Sequence, residues 1–158
     1  RRQKLEPDVV TYSAAISACG KGAQWHEALG MFSDMRLRRL EPDAVSYNAA
    51  ISACEKSGRW HDALGMFSDM WLRRVESTVI TYNAAISACV PGARWQEALG
   101  IISGMRTRRL EANVITHTAA ISACEQGARW HEILNLFLDM RPSFPGVGAS
   151  LRSPQRCN

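Results

Sequence analysis

Three residue types able to do chemistry recur along this chain at a fixed interval. Cys19, Cys54, Cys89 and Cys124 stand 35 residues apart; His26, His61 and His131 each follow a tryptophan; and the pairs Arg38 and Arg39, Arg73 and Arg74, Arg108 and Arg109 share a third position. Thiolates and imidazoles ligate metals, and a guanidinium ladder can meet a phosphate backbone. The first two series build no site. No two cysteines form a CxxC pair, and equivalent positions on stacked helices lie roughly 8–10 Å apart, beyond a disulfide's reach. They read as small, buried, reduced thiols of the core, with Cys157 alone near the C-terminus. HExxH is absent and Gln96 replaces the histidine of the third series member, so these positions read as solvent-facing. A glycine-rich phosphate loop, a nucleophile beside a base and a paired-carboxylate arrangement are also missing. The chain therefore reads as a non-enzyme with no cofactor and no metal. The arginines keep two readings. They complement the negative end of a preceding helix, or they face a polyanion, with Glu41, Glu76 and Glu111 diluting their field.

The interval itself defines what must position such residues. Tyr12, Tyr47, Tyr82 and His117 fall in register, as do Trp25, Trp60, Trp95 and Trp130, and the segment AAISAC occurs in all four blocks without insertion. The blocks are residues 9–43, 44–78, 79–113 and 114–148. A constant period of this size marks stacked supersecondary units, each too small to close its own core. Residues 1–8 end on Leu5, Glu6, Pro7 and Asp8, matching Leu40 to Asp43, so they read as the tail of a preceding repeat and the chain as a piece of a longer array. After about Met140 the segment is rich in Pro, Ser, Gly and Arg, and residues 149–158 are expected to be a disordered tail.

Within the first block, Val9, Tyr12, Ile16 and Cys19 lie at intervals of three and four, which sets them on one face of a short helix. Gly20 to Ala23 breaks that pattern. Trp25, Ala28, Leu29, Phe32 and Met35 then mark a second amphipathic helix, which ends before Pro42 and Asp43. Each tryptophan opens the apolar stripe of its helix, the placement of a packing residue. Each block is thus a helical hairpin, and stacking supplies most of its stability. The expected fold is all-α: an α-solenoid of four helix-turn-helix repeats.

Positions that differ between blocks are the informative ones. The fifth residue of each block runs Ser13, Asn48, Asn83 and Thr118, always small and able to hydrogen-bond; the last runs Asp43, Thr78, Asn113 and Gly148. Ser17, Ser52, Ser87 and Ser122 share the fifth residue's helix face, so stacking aligns a polar stripe. A merely solvated face would carry longer charged side chains. Small amides and hydroxyls allow close approach, and they offer donor and acceptor patterns to a base edge. The second residue of each block is Val10, Val45, Ile80 or Ile115, stiff and able to press on a flat ring.

With the tyrosine start, the Glu-Ala-Leu centre, the Pro-Asp end and the 35-residue length, residues 1 to about 140 resemble pentatricopeptide repeats. The resemblance implies a right-handed superhelix that binds single-stranded RNA, one nucleotide per repeat, in mitochondria or plastids, acting in RNA processing, stabilisation, editing or translation. It implies that the fifth and last residues choose the base: Ser13, Asp43, Asn48, Thr78, Asn83, Asn113 and Thr118. It further implies that Val10, Val45, Ile80 and Ile115 sandwich it. On that pattern Ser13 with Asp43 leans to G, Asn48 with Thr78 to a pyrimidine and Asn83 with Asn113 to C, reading 5′ to 3′. Pro142, Pro145, Gly146 and Gly148 depart from the pattern in the fourth unit and put its base choice in doubt. Trp in place of Leu at the start of the second helix and Pro91 in the third turn are further departures.

The net charge of +4 gives only weak support to a polyanionic partner. No run approaches the roughly 18 apolar residues of a membrane span, so no membrane partner is expected. The rival reading is a protein-binding helical scaffold like tetratricopeptide repeats, whose 34-residue period and Trp-Leu-Gly-Tyr pattern are absent here. Protein partners of a longer array remain compatible with either.

Overall fold

The computed structural model describes residues 5–140, and every regular element among them is an α-helix. The first hairpin is α1 (Val9–Lys21) with α2 (Trp25–Leu37), and the second is α3 (Ala44–Lys56) with α4 (Trp60–Leu72). The third is α5 (Val79–Ala88) with α6 (Trp95–Thr107), and the fourth is α7 (Val114–Gln126) with α8 (Trp130–Asp139). Residues 1–4 of the expected preceding-repeat tail, and the expected C-terminal tail with Gly148 and Cys157, lie outside the described residues.

Capping chemistry sets where each first helix begins. Asp8, Asp43 and Asn113 take extended backbone angles and accept a hydrogen bond from the N–H three residues on; Thr78 forms a capping box with Thr81. A left-handed residue, Ala23, Gly58, Ala93 or Ala128, turns the chain from each first helix into the second, directly after the C-cap in α1, α3 and α7. The Arg pairs end the second helices: Arg38, Arg73 and Arg108 are C-caps, and Arg39, Arg74 and Arg109 are left-handed.

One local expectation is corrected. The first helix does not break at Gly20 but runs to Lys21, and Gly20 lies against α3: a Cβ there would stand 3.2 Å from the Ala49 carbonyl oxygen. Helix α5, in contrast, stops at Ala88, three residues sooner than its counterparts. Pro91 supplies no N–H to continue the helix, and its ring disfavours helical angles at the residue before it.

The units stack chiefly through their first helices, α1 on α3, α3 on α5 and α5 on α7, while each second helix packs on its own partner and on the next first helix. Tyr47, Tyr82, Ile16, Ile51, Ile86, Met35, Met70 and Met105 are fully buried between these layers. Phe32 meets Tyr47 edge-on at 4.9 Å, and Phe67 meets Tyr82 at 5.2 Å, so an aromatic pair stitches the first hairpin to the second and the second to the third. Cys54, Cys89 and Cys124 are buried and free; burial pushes the Cys54 thiol up to about 11 and the Cys89 thiol up to about 12, which keeps both protonated and inert.

Candidate nucleic-acid interface

The second residue of each unit sits in the first turn of a first helix, and nothing covers it. Val10 is 73% exposed, Val45 58%, Ile80 70% and Ile115 63%. Three residues on, and therefore on the same side of the helix, stand Ser13, Asn48, Asn83 and Thr118. The last residue of the preceding block is the helix's own N-cap, so Asp43, Thr78 and Asn113 lie at its tip, exposed. Between α5 and α7 this face forms a groove of about 390 Å³ lined by Val114, Ile115, Thr118 and Ser122 with Ser87 and Val90 opposite.

The fifth and last residues are joined through a third residue that sequence reasoning passes over. Ser46 donates to Asp43 Oδ1 at 2.7 Å, and its hydroxyl lies 2.8 Å from that of Ser13 on the preceding helix. The Ser46 proton being engaged, the Ser13 hydroxyl has three acceptors in reach: Ser46 Oγ, the Val9 carbonyl at 2.8 Å and Asp43 Oδ1 at 3.4 Å. In the third and fourth units Thr116 Oγ1 stands 2.6 Å from Asn83 Oδ1 and 3.0 Å from Asn113 Oδ1. Ser46, Thr81 and Thr116 are all fully buried. Their signal in the sequence is a hydroxyl at an otherwise apolar place, third in each unit from the second onward.

Accessibility differs along the row. Ser13 is buried, Asn48 and Asn83 are half-buried and Thr118 is exposed, bonded to the Val114 carbonyl at 2.7 Å. Asn48 Oδ1 is the exception to the bridging pattern: it is shielded from water and has no hydrogen-bond partner among the described residues. Burial alone would raise the Asp43 carboxyl, but hydrogen bonds from the Ser46 N–H, the Ser46 hydroxyl and Ser13 outweigh it and hold Asp43 below its usual value. At neutral pH it is an anion that only accepts.

A profile of the PPR repeat family matches residues 7–56 and 42–90, and a profile of the PPR repeat matches residues 80–110. The chain belongs to the pentatricopeptide repeat family. No curated protein sequence matches this pentatricopeptide repeat chain. Among solved structures it is similar to the pentatricopeptide repeat protein PPR10 from maize, with a TM-score of 0.73 and 22% identity over 88% of this chain and 20% of that one. It is similar also to PPR10 in complex with an 18-nt psaJ RNA element, with a TM-score of 0.76, 22% identity, and coverage of 89% and 21%. A third likeness is to the PPR domain of Arabidopsis thaliana protein-only RNase P 1 in complex with tRNA, with a TM-score of 0.73, 14% identity, and coverage of 80% and 67%. The chain thus spans about a fifth of the length of PPR10. The fold expected from the repeat pattern and the family resemblance, an all-α right-handed superhelical solenoid, is the one this pentatricopeptide repeat chain adopts.

Trp25, Trp60 and Trp95 and the paired arginines belong to the scaffold. Arg59 lies 4.2 Å over the Trp25 ring, Arg94 4.5 Å over Trp60 and Arg129 4.2 Å over Trp95, so each of these three tryptophans is clamped by the next unit's turn. The histidines are exposed beside them. Arg38 pairs with Asp34 at 3.0 Å and Arg73 with Asp69 at 3.2 Å, which favours the structural reading of the arginine ladder over the phosphate-facing one. Among the described residues no group of His, Cys, Asp and Glu could hold a metal, and no helix is long and apolar enough to cross a membrane.

Proposed function

We propose that this chain binds single-stranded RNA along the exposed face of its first helices, one nucleotide per repeat. The observation that carries it is the row Val10, Val45, Ile80 and Ile115. Four branched aliphatic side chains on one face keep apolar surface in water, which disfavours the free protein at about 25 cal/mol per Å². Neither capping nor core packing asks for them. A flat base between neighbouring members of the row would cover that surface and bring its edge to the adjoining polar pair. Ser13 with Asp43 suits G, Asn48 with Thr78 a pyrimidine, and Asn83 with Asn113 C; Thr118 would read a fourth base. Units 9–43, 44–78, 79–113 and 114–148 are the reading units. The family, and the RNA held by PPR10 and by the protein-only RNase P 1 domain, support this reading, as they support an organellar setting in a mitochondrion or plastid. Function on this reading is occupancy of an RNA site, and no step of catalysis is assigned to these residues.

The test is fluorescence anisotropy with labelled short RNAs carrying G, a pyrimidine and C in order, against the reversed order and the matching DNA. The ordered RNA should bind tightest. Asn48→Asp with Asn83→Asp should weaken it roughly tenfold or more, at about 1–3 kcal/mol per base-reading contact. Val45→Ser with Ile80→Ser should weaken all sequences alike. No order preference at saturating protein would sink base reading and turn attention to peptide ligands.

A further inference from the structure

On the row of second helices the units carry a second repeated device, and it is broken at one place. Tyr12 donates to Asp34, and Tyr47 donates to Asp69 at 2.6 Å. Arg38 and Arg73, one turn on, pair with the same carboxylates. A further cation crosses from the preceding unit: Arg36 reaches Asp69 at 3.4 Å, and Arg106 reaches Asp139 at 2.6 Å. In the third unit the aspartate is Gly104, and the crossing arginine of the second unit is Trp71. Both partners of one ion pair are therefore replaced at the same junction.

The replacement leaves a gap of about 320 Å³ between α4 and α6, lined by Leu64, Phe67, Trp71, Gly100, Ile101 and Gly104, with Tyr82 on its wall. Its size matches the lower end of small-molecule sites. Tyr82 is fully buried, and its hydroxyl has no hydrogen-bond partner among the described residues, the aspartate that would accept from it being absent. Arg108, the counterpart of Arg38 and Arg73, has lost its carboxylate too and lies 3.6 Å over the Trp71 ring. Glu97, also on the wall, is hydrogen-bonded to Arg94. A donor and a cation thus flank the place where a carboxylate sits in the two preceding units, beside an apolar wall and a half-open indole.

We propose that this gap binds a small carboxylate carried on an aromatic or aliphatic body. The carboxylate takes the place of the missing aspartate, accepting from the Tyr82 hydroxyl and pairing with Arg108; the body lies against Trp71 and Ile101. The site is on the opposite row of helices from the proposed RNA face and does not depend on it.

Saturation-transfer NMR of the full chain with 3-phenylpropionate, and with neutral 3-phenylpropionamide as the control, tests it. Transfer to the acid should exceed transfer to the amide several-fold. Gly104→Asp should abolish it by filling the site from within, and should leave the far-UV circular dichroism unchanged and the melting temperature no lower, since Asp69 occupies this place in the second unit. Tyr82→Phe, which keeps the ring, should weaken acid binding about tenfold. Absence of transfer from millimolar acid, equal transfer from acid and amide, or transfer that survives both substitutions overturns the proposal.

Discussion

Glycine stands at two kinds of place in these repeats, and the same substitution has opposite consequences at each. A Cβ on Gly92 would come within 2.8 Å of the Trp60 indole, and one on Gly127 within 2.4 Å of the Trp95 indole. Each indole is held down by the arginine of the neighbouring turn, so it has little room to yield. Gly30 and Gly65, inside α2 and α4, would meet nothing within 4 Å. Gly92→Ala should therefore destabilise by about 1–3 kcal/mol through overpacking. Gly30→Ala should stabilise by about 0.5–1 kcal/mol through helix propensity. Urea melts of the two variants read both signs at once, and a stable Gly92→Ala would mean the tryptophan clamp is looser than its geometry. The sequence alone does not separate these glycines, since what distinguishes them is a side chain 32 residues away that only stacking brings near.

At the scale of the helix, the last residue of each of the first three units is a cap, whether or not it also meets RNA as proposed. Asp43, Thr78 and Asn113 are drawn from the residues that cap helices best, so capping by itself accounts for much of their variation. Asp43→Ala should cost about 1 kcal/mol of stability in the absence of any RNA, whereas Asp43→Asn should leave stability nearly unchanged and alter base preference at the first unit. The pH dependence follows from the same carboxylate. Its folded value lies below the ordinary 3.8, so the stability it contributes is present above 3.8 and is lost as pH falls below that toward the folded value. Asp69, for which the hydrogen bonds from Tyr47 and Arg73 outweigh the upward pull of burial, behaves alike. Acid titration of the melting temperature should show a steeper fall below pH 4 in the parent than in Asp43→Asn. Much of this level is legible without coordinates: apolar spacing of three and four gives the hairpins, and the buried Phe32, Met35, Tyr47 and Ile51 are those it marks. The exposed Val10, Val45, Ile80 and Ile115 are visible too, as aliphatics off the apolar stripe. The bridging hydroxyls of Ser46 and Thr116 are not, because their partners Ser13 and Asn83 lie 33 residues back, across a unit boundary. Nor is the orphaned Tyr82 hydroxyl, which becomes evident only when its sister tyrosines are seen bonded to aspartates that the third unit lacks.

For the molecule as a whole, each hairpin touches only its sequence neighbours, so opening an interior unit breaks two interfaces and opening an end breaks one. The two ends of the described array are unlike. At the first, α1 presents Thr11, Ala14 and Ala18, small side chains with little apolar area to leave wet. At the other, Trp130 is 60% exposed and Leu134, Phe137 and Leu138 are each half exposed, while the corresponding Trp60 and Trp95 are covered by the next turn. Stability should therefore grade along the chain. Amide hydrogen exchange should be slowest in α3 and α5, which are packed on both sides, faster in α1 and fastest in α8. Trp60→Ala should speed exchange in the second and third units together, because the ring belongs to both, whereas Trp130→Ala should change α8 alone. Uniform exchange through all eight described helices would mean that the array unfolds as one block, and nearest-neighbour stacking would then fail to describe it. A graded array also suits a ligand that lies along it: RNA spanning the first helices of successive units would tie weak ends to the strong middle, so bound RNA should slow exchange most in α7 and α8, where the free protein has least to hold it.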